Sequence, residues 1–534
     1  MKHIGDLSLP ILKPSGCNGC PLEKLSRYIT PDYIVENSEV SILGQAPGQH
    51  EEEGLKLERN DYSYGRRNEI TTPVTPQPLI GATGNWLRKE FWPLTRLDYS
   101  SVSRHNVIKC RPNGLNELPN IGSNKAINGI STKTLKQAIH HCSRAYLRFP
   151  TRTKYILAMG EVALYSLTGE ELLNYRKGVD SEEQDEKSST VTEWRGWALG
   201  VDLVEHTILG LRDYYSDMAG SSLYPRLITA FPVVHISSLF NSQRYYHATL
   251  HDFQRFGNLV RGTWPSTIPE IKINTPPKTI PDTIGFDTEY RELKVPSGAR
   301  PKHELTMWSM ADVERNVYVV DSDYSRQLRG VPSQLNIVTQ NGIVDIPHLL
   351  PIISTSLGSC RLNVEDTMLA HTVKWTGEPY GLDYMLSKYG EFNRHKHLRE
   401  TEDLWTKYFY SGLDAYGTLN NVWKGLLRDF SEDKLAWAEY CLRRKPLIPI
   451  IDKSQQMGLE VDQSRVELIT TLLDQDLQRI KDEVESLVPG LNLRSTSQMK
   501  ALLYGNIVPV PKPAKAKRSK KLSLLDQLKL QYGE

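Results

Sequence analysis

Thr283-Ile284-Gly285-Phe286-Asp287-Thr288-Glu289-Tyr290 lies just past the middle of a 534-residue chain. Its β-branched and aromatic residues predict a strand. At the end of that strand stand two carboxylates one residue apart, Asp287 and Glu289. Alternation along a strand sends both side chains to the same face. Acids that close repel one another unless a cation lies between them. Hard oxygen donors suit Mg2+ or Mn2+. A strand edge carrying solvated charges is the other reading of the same residues.

Further along come Thr339-Gln340-Asn341-Gly342-Ile343-Val344-Asp345-Ile346-Pro347-His348-Leu349 and Tyr410-Ser411-Gly412-Leu413-Asp414-Ala415-Tyr416. Asp-x-Glu, Asn-x-x-x-Asp and Tyr-x-x-x-Asp in that order resemble the 3′–5′ exonuclease domain of family A DNA polymerases, a branch of the DEDD nucleases. Glu365-Asp366-Thr367-Met368-Leu369-Ala370 and Tyr380-Gly381-Leu382-Asp383-Tyr384-Met385-Leu386 also look like that family. The resemblance implies a ribonuclease H-like domain over 283–430, with Asp287, Glu289, Asp345 and Asp414 holding two divalent metal ions (Mg2+ or Mn2+) about 4 Å apart. One ion would lower the pKa of the attacking water and the other would stabilise the departing 3′ oxygen. Tyr410 falls one helical turn before Asp414, so both face the same way. By the resemblance, its hydroxyl orients the attacking water and Asn341 lies along the DNA. Gln340 and Val344 stand where the family often has His and Phe, so a changed fit around the DNA 3′ end is expected.

Length and composition bound the rest. A chain of 534 residues is too long for one core and predicts two to four domains. The net charge of +2 excludes a polycation, so any nucleic-acid surface must come from local clustering. No apolar run approaches a membrane span, and Leu7-Ser8-Leu9-Pro10-Ile11-Leu12 is too short and proline-broken for a signal peptide. An intracellular, cytoplasmic protein with no membrane partner is expected. Six cysteines argue against a disulfide framework.

Four of those cysteines come early: Cys17 and Cys20 as C-x-x-C, then Cys110 and Cys142. Cys360 and Cys441 stand alone and read as small buried hydrophobes. Four thiolates suit either structural zinc or an iron–sulfur cluster, and spacing does not choose between them. Ser41-Ile42-Leu43-Gly44-Gln45-Ala46-Pro47-Gly48 reads as a strand entering a tight loop. Pro78-Leu79-Ile80-Gly81-Ala82-Thr83-Gly84, Asn106-Val107-Ile108-Lys109-Cys110-Arg111-Pro112, Tyr155-Ile156-Leu157-Ala158-Met159-Gly160, Arg195-Gly196 and Val234-His235-Ile236-Ser237-Ser238-Leu239 follow. Together these resemble the iron–sulfur uracil-DNA glycosylases of family 4 over roughly residues 15 to 250. Insertions fall around Asn113 to Ser131 and Tyr175 to Val191. The resemblance implies an α/β/α domain over 1–262 whose four cysteines hold a structural 4Fe–4S cluster. It further implies that Asn106 reads the uracil edge, His235 hydrogen-bonds the leaving base, Leu239 is the wedge in the base stack, and Gly44 to Gly48 line the pocket.

The departures from that family fall at the chemistry. Gln45 replaces its glutamate, Ala46 stands where family 1 has an aspartate, Leu79 replaces a phenylalanine that stacks on uracil, and His-Pro-Ser has become His235-Ile236-Ser237. Glutamine orients a water but takes no proton, and such assistance is worth about a hundredfold or more. Glu51, Glu52 and Glu53 read as a solvated charge run, with one of them substituting for the missing acid as the other reading. Excision of uracil and a fold retained to bind uracil or template DNA are both open.

Residues 263–282 carry several prolines and read as a semi-extended linker between parts that fold independently. After Asp414 the pattern turns helical. Pro446 and Pro449 are expected to interrupt any helix there. An amphipathic helix is expected from Ser464 to Leu487. Residues 431–534 resemble the start of the family A polymerase thumb, and Lys512, Lys515, Lys517, Arg518, Lys520 and Lys521 suit a phosphate backbone. The chain stops at Glu534 before any palm or fingers, so it is not expected to polymerise alone. A separate polymerase chain as partner, or a split product, follows from that. Split and fused replication genes are common in bacteriophages, which makes a phage origin and the host cytoplasm the expected setting. The combined expectation is an exonuclease, acting on single-stranded or mispaired 3′ ends, fused to a uracil-DNA-glycosylase-like domain in DNA replication and repair. The competing one is a decayed DNA-binding subunit that holds template for a polymerase.

Overall fold

The computed structural model describes residues 11–503 apart from 26–27, 64–65, 112–117, 120, 122–125, 128, 170–189, 205–206, 213–226, 241–242, 265–267, 294–301, 323–329, 355–359, 400, 459–461, 496–497 and 500–501. The chain divides into two compact units, 1–288 with 307–446, and 289–306 with 447–534. The larger unit is mixed α/β and is built on two six-stranded sheets.

The first sheet contains Val40–Gly44 (β1), Ser103–Asn106 (β2), Tyr155–Met159 (β3), Leu199–Val204 (β4), Thr207–Arg212 (β5) and Leu227–Val233 (β6), in the order β2-β1-β3-β6-β4-β5. The first four in that order run parallel, and β4 and β5 continue antiparallel. Helices Thr132–Tyr146 (α1), Glu161–Thr168 (α2) and Tyr246–Val260 (α3) accompany them. Parallel strands are covered on both faces, which is why β1 and β3 are nearly all apolar. Alternate residues divide between two cores. Leu43, Ile156 and Ala158 pack with Val162 and Leu164, whereas Ile42, Leu157 and Met159 pack with Phe231, Phe253 and Phe256.

The second sheet contains Ile271–Ile273 (β7), Thr283–Leu293 (β8), Lys302–Asp312 (β9), Val317–Asp321 (β10), Gln334–Thr339 (β11) and Arg361–Asp366 (β12), in the order β7-β10-β9-β8-β11-β12. Helices Gly342–Ser354 (α4), Thr367–Lys374 (α5), Leu382–Tyr389 (α6) and Leu404–Tyr416 (α7) follow. Asp366 ties β12 to two helix starts, its oxygens accepting from Gly342 N at 2.8 Å and Leu369 N at 3.1 Å. The proline-rich stretch is more than a connector. Ile271-Lys272-Ile273 pairs in parallel with Val317–Val319 as an edge strand, the position in a sheet where neighbouring prolines are tolerated.

A buried polar seam joins the two sheets' surroundings. Arg195 is ion-paired with Asp252, its Nε donating to Oδ2 at 2.8 Å, and its Nη1 donates to Ser387 Oγ at 2.8 Å. Arg255 Nη1 donates to Gly390 O at 2.8 Å, and Trp197 packs into the apolar cluster of the second sheet. Independent folding, expected from the linker composition, is at odds with this seam, because separation would strip a buried charge pair of its cover.

In the smaller unit, Arg291 pairs with Glu304 at 2.5 Å. Helix Leu447–Met457 begins directly after Pro446, with Pro449 in its first turn. The prolines therefore start this helix rather than interrupt it, because first-turn N–H groups have no intrahelical acceptor. Gln463–Leu487 (α8) is capped by Asp462, which accepts from Arg465 N at 3.1 Å, and it agrees with the amphipathic pattern. The six basic residues Lys512, Lys515, Lys517, Arg518, Lys520 and Lys521 lie outside the described residues. Among the described residues, no helix is long and apolar enough to cross a membrane.

Candidate functional site

Strand β8 carries Asp287 and Glu289 on one face, and α7 brings Asp414 to them. One carboxylate oxygen from each of the three lies within 4.8 Å of the others. Gly285 makes the approach possible: a Cβ there would meet Ala415 O at 2.5 Å and Leu419 Cβ at 2.7 Å. Three acids converging in this way are a donor set for a hard divalent cation.

Asp414 is buried and heavily engaged. His395 Nε2 lies 2.6 Å from its Oδ1, and the Lys396 ammonium donates to its Oδ2. Lys396 Nζ also donates to Tyr410 Oη at 2.8 Å, so Tyr410 and Asp414 share one cation across a helical turn of α7. Burial opposes ionisation of Asp414, but Lys396 and His395 together hold its carboxyl well below the usual range.

Asp345 is bonded to Thr288, the residue between Asp287 and Glu289. Its Oδ1 accepts from Thr288 N at 3.1 Å and Thr288 Oγ1 at 2.6 Å, which fastens α4 to β8. Asn341 precedes α4 with φ of 62°, in the left-handed region that asparagine tolerates. Gln340 is held in place, donating to Tyr380 O at 2.9 Å and accepting from Thr367 Oγ1 at 2.5 Å.

In the first sheet, the predicted glycosylase-like residues gather at the ends of β1, β2 and β3. Gly44 abuts Asn106, whose Oδ1 lies 2.5 Å from where a Cβ would be. Gly160, at φ of 87°, abuts both Gln45 and His235. Glu51 is 6% exposed, not solvated as its charge run suggested. It accepts from Gly48 N at 3.1 Å, Leu79 N at 2.8 Å and Asn106 Nδ2 at 3.4 Å. Burial nevertheless pushes its carboxyl up to about 7. Burial pushes His235 down to about 4, so its ring is neutral near pH 7. Ser237 N donates to His235 Nδ1 at 3.3 Å, which puts the neutral ring's proton on Nε2. Leu79 is buried with φ of 64°. Leu239, expected as an exposed wedge, is 3% exposed and sits in the core, whereas Phe240 is 54% exposed and stacks on Trp86 at 4.6 Å.

Cys17, Cys20, Cys110 and Cys142 are all buried. Cys20 is hydrogen-bonded to Cys142, which favours the Cys20 thiolate and disfavours that of Cys142. Burial pushes Cys110, which feels the charge of Cys20 and Cys17, up to about 11. These pairwise effects link Cys20 with Cys142, and Cys110 with Cys17 and Cys20, from three segments of the chain.

Two residues, His395 and Lys396, escaped the sequence reading, and Glu51 was weighed there only as a substitute acid behind a solvated charge run. Glu51 carried one signal, a carboxylate three residues after the loop glycine Gly48 at a helix start. His395 and Lys396 carried none, since they lie in an irregular segment outside any motif.

No protein-family model matches the chain, and no curated protein matches it. Among solved structures, it is similar to the POL domain of Pol1 from M. smegmatis in complex with DNA primer-template and dNTP, at 14% identity and a TM-score of 0.30, over 45% of this chain and 40% of that one. The chain thus spans less than half of that polymerase domain. It is also similar to Brucella melitensis NrnC with bound Mg2+, at 14% identity and a TM-score of 0.24, over 35% of this chain and 92% of that one. The apo form of a nuclease is similar at 14% identity and a TM-score of 0.27, over 37% of this chain and 98% of that one.

Proposed function

We propose that the second sheet carries a metal-dependent 3′–5′ DNA exonuclease centre acting on single-stranded or frayed 3′ ends. The observation that carries this reading is the convergence of Asp287, Glu289 and Asp414 within 4.8 Å. Asp287, Glu289 and Asp414 would hold divalent metal, which supplies activation of a water and charge stabilisation at phosphorus. Asp345, which bonds to Thr288 beside them, fixes the strand that bears two of the ligands. Tyr410, on the same helical face as Asp414, directs its hydroxyl at the attacking water. Release of mononucleotides from a 3′-labelled strand is expected in Mg2+ or Mn2+, and Asp287→Ala should abolish it. Unimpaired release by that variant would refute the assignment, and no release by the native protein would favour a DNA-holding subunit of a polymerase.

Glu51 supports a second reading, uracil recognition and excision by the first sheet. A buried carboxyl beside Asn106, with its pKa raised to about 7, can take a proton that Gln45 cannot. The neutral His235 ring, with its Nε2 proton free to donate, suits a departing base anion. In this reading Cys17, Cys20, Cys110 and Cys142 would hold a structural iron–sulfur cluster. Alkali-labile sites should form in uracil-containing DNA and be lost in Glu51→Gln and His235→Ala. Absence of such sites with the native protein would leave binding without excision, and equal formation by all three would refute the roles of Glu51 and His235.

A further inference from the structure

One irregular segment, residues 390–397, touches both the carboxylate centre and the part of the chain built on the first sheet. The Asn393 side chain accepts from Ala198 N at 3.2 Å and donates to Ala198 O at 2.8 Å. Arg394 lies over the Trp194 ring at 4.2 Å, and the His397 ring is 5.8 Å from Trp194. Arg255 Nη1 donates to Gly390 O at 2.8 Å. Between these anchors, His395 and Lys396 reach Asp414, and Lys396 reaches Tyr410. Asn393 and His395 are buried.

We propose that Lys396 is a positioning residue of the carboxylate centre, and that Trp194–Ala198 of the N-terminal part holds its segment in place. This inference rests on the nuclease reading. An ammonium group has donors only, so Tyr410 Oη accepts from it and the hydroxyl is held on the Asp414 side of the helix. Each Asp414 oxygen accepts one hydrogen bond and keeps a further lone pair for a cation. Three carboxylates within 4.8 Å also repel one another, and Lys396 is the fixed positive charge that offsets this before metal arrives. The ammonium therefore orders the site and competes with metal for Asp414. By its anchors, the first sheet's part becomes a support of the nuclease centre.

The test uses the full chain. Lys396→Met should lower kcat for 3′-end release by on the order of tenfold to a hundredfold, with KM for DNA unchanged within about twofold. Calorimetric titration with Mn2+ alone should show tighter binding to Lys396→Met, and Lys396→Arg should restore most of kcat. Asn393→Ala should lower kcat severalfold at a temperature where circular dichroism shows it folded. Trp194→Phe serves if Asn393→Ala does not fold. A Lys396→Met protein with unchanged kcat and Mn2+ affinity overturns the proposal. So does a loss in Asn393→Ala confined to melting temperature. Mn2+ binding that survives Asp287→Ala instead removes the nuclease reading itself.

Discussion

Glu51 shows how one buried acid sets a pH dependence. Its folded pKa is about 7 against an ordinary 4.5, with burial as the main cause. Between those values the folded chain keeps a proton that the unfolded chain has lost. Stability from this group is therefore full below about pH 4.5 and declines as pH rises through 7, by roughly 3 kcal/mol in all. Glu51→Gln keeps the shape and an acceptor for Leu79 N but cannot ionise. Urea unfolding followed from pH 5 to 8 should show the decline in the native protein and a flatter profile in Glu51→Gln. Parallel profiles would mean that Glu51 is solvated after all. Its place three residues after Gly48 hints at a helix start, but nothing in Glu51-Glu52-Glu53 shows its burial, which comes from Leu79 and Asn106, distant in sequence. Asp287 and Glu289 were legible for the opposite reason: strand alternation alone puts them on one face.

Elements were read best where periodicity was local. The strand expected at Thr283–Tyr290 extends to Leu293, and the helix expected from Ser464 to Leu487 is Gln463–Leu487. The edge strand Ile271–Ile273 was hidden by prolines on either side, since only pairing with Val317–Val319 makes three residues a strand. The packing of α7 on β8 was likewise invisible, though Gly285 in the strand interior marks it. Gly285→Ala would push a methyl against Ala415 O and Leu419, so it should cost about 1–3 kcal/mol and slow 3′-end release by separating Asp414 from Asp287. Thermal melting and end release measured on one preparation test this. A variant that melts and cleaves like the native protein would mean that helix and strand part freely.

Across the molecule, the largest departure from the sequence reading is the seam between the two sheets. A proline-rich connector says how the chain travels between two parts, not whether their surfaces meet; Arg195 was read only as part of the glycosylase-like set, and Asp252 and Ser387 belong to no motif. Removing one member of a buried ion pair strands the other charge and costs about 3–5 kcal/mol, whereas replacing both with apolar residues is often neutral. Arg195→Met should therefore be strongly destabilising, and adding Asp252→Leu should recover much of the loss. Because the pair also meets Ser387, the loss should reach the second sheet. In urea, circular dichroism and 3′-end release should fail at a common midpoint, as one cooperative transition requires, and Arg195→Met should lower both together. If the two signals separate, with the variant shifting the circular dichroism midpoint and leaving that of 3′-end release in place, then the seam is a surface laid between two autonomous bodies. If they move as one, the first sheet's part supplies stability that the carboxylate centre of the second sheet depends on.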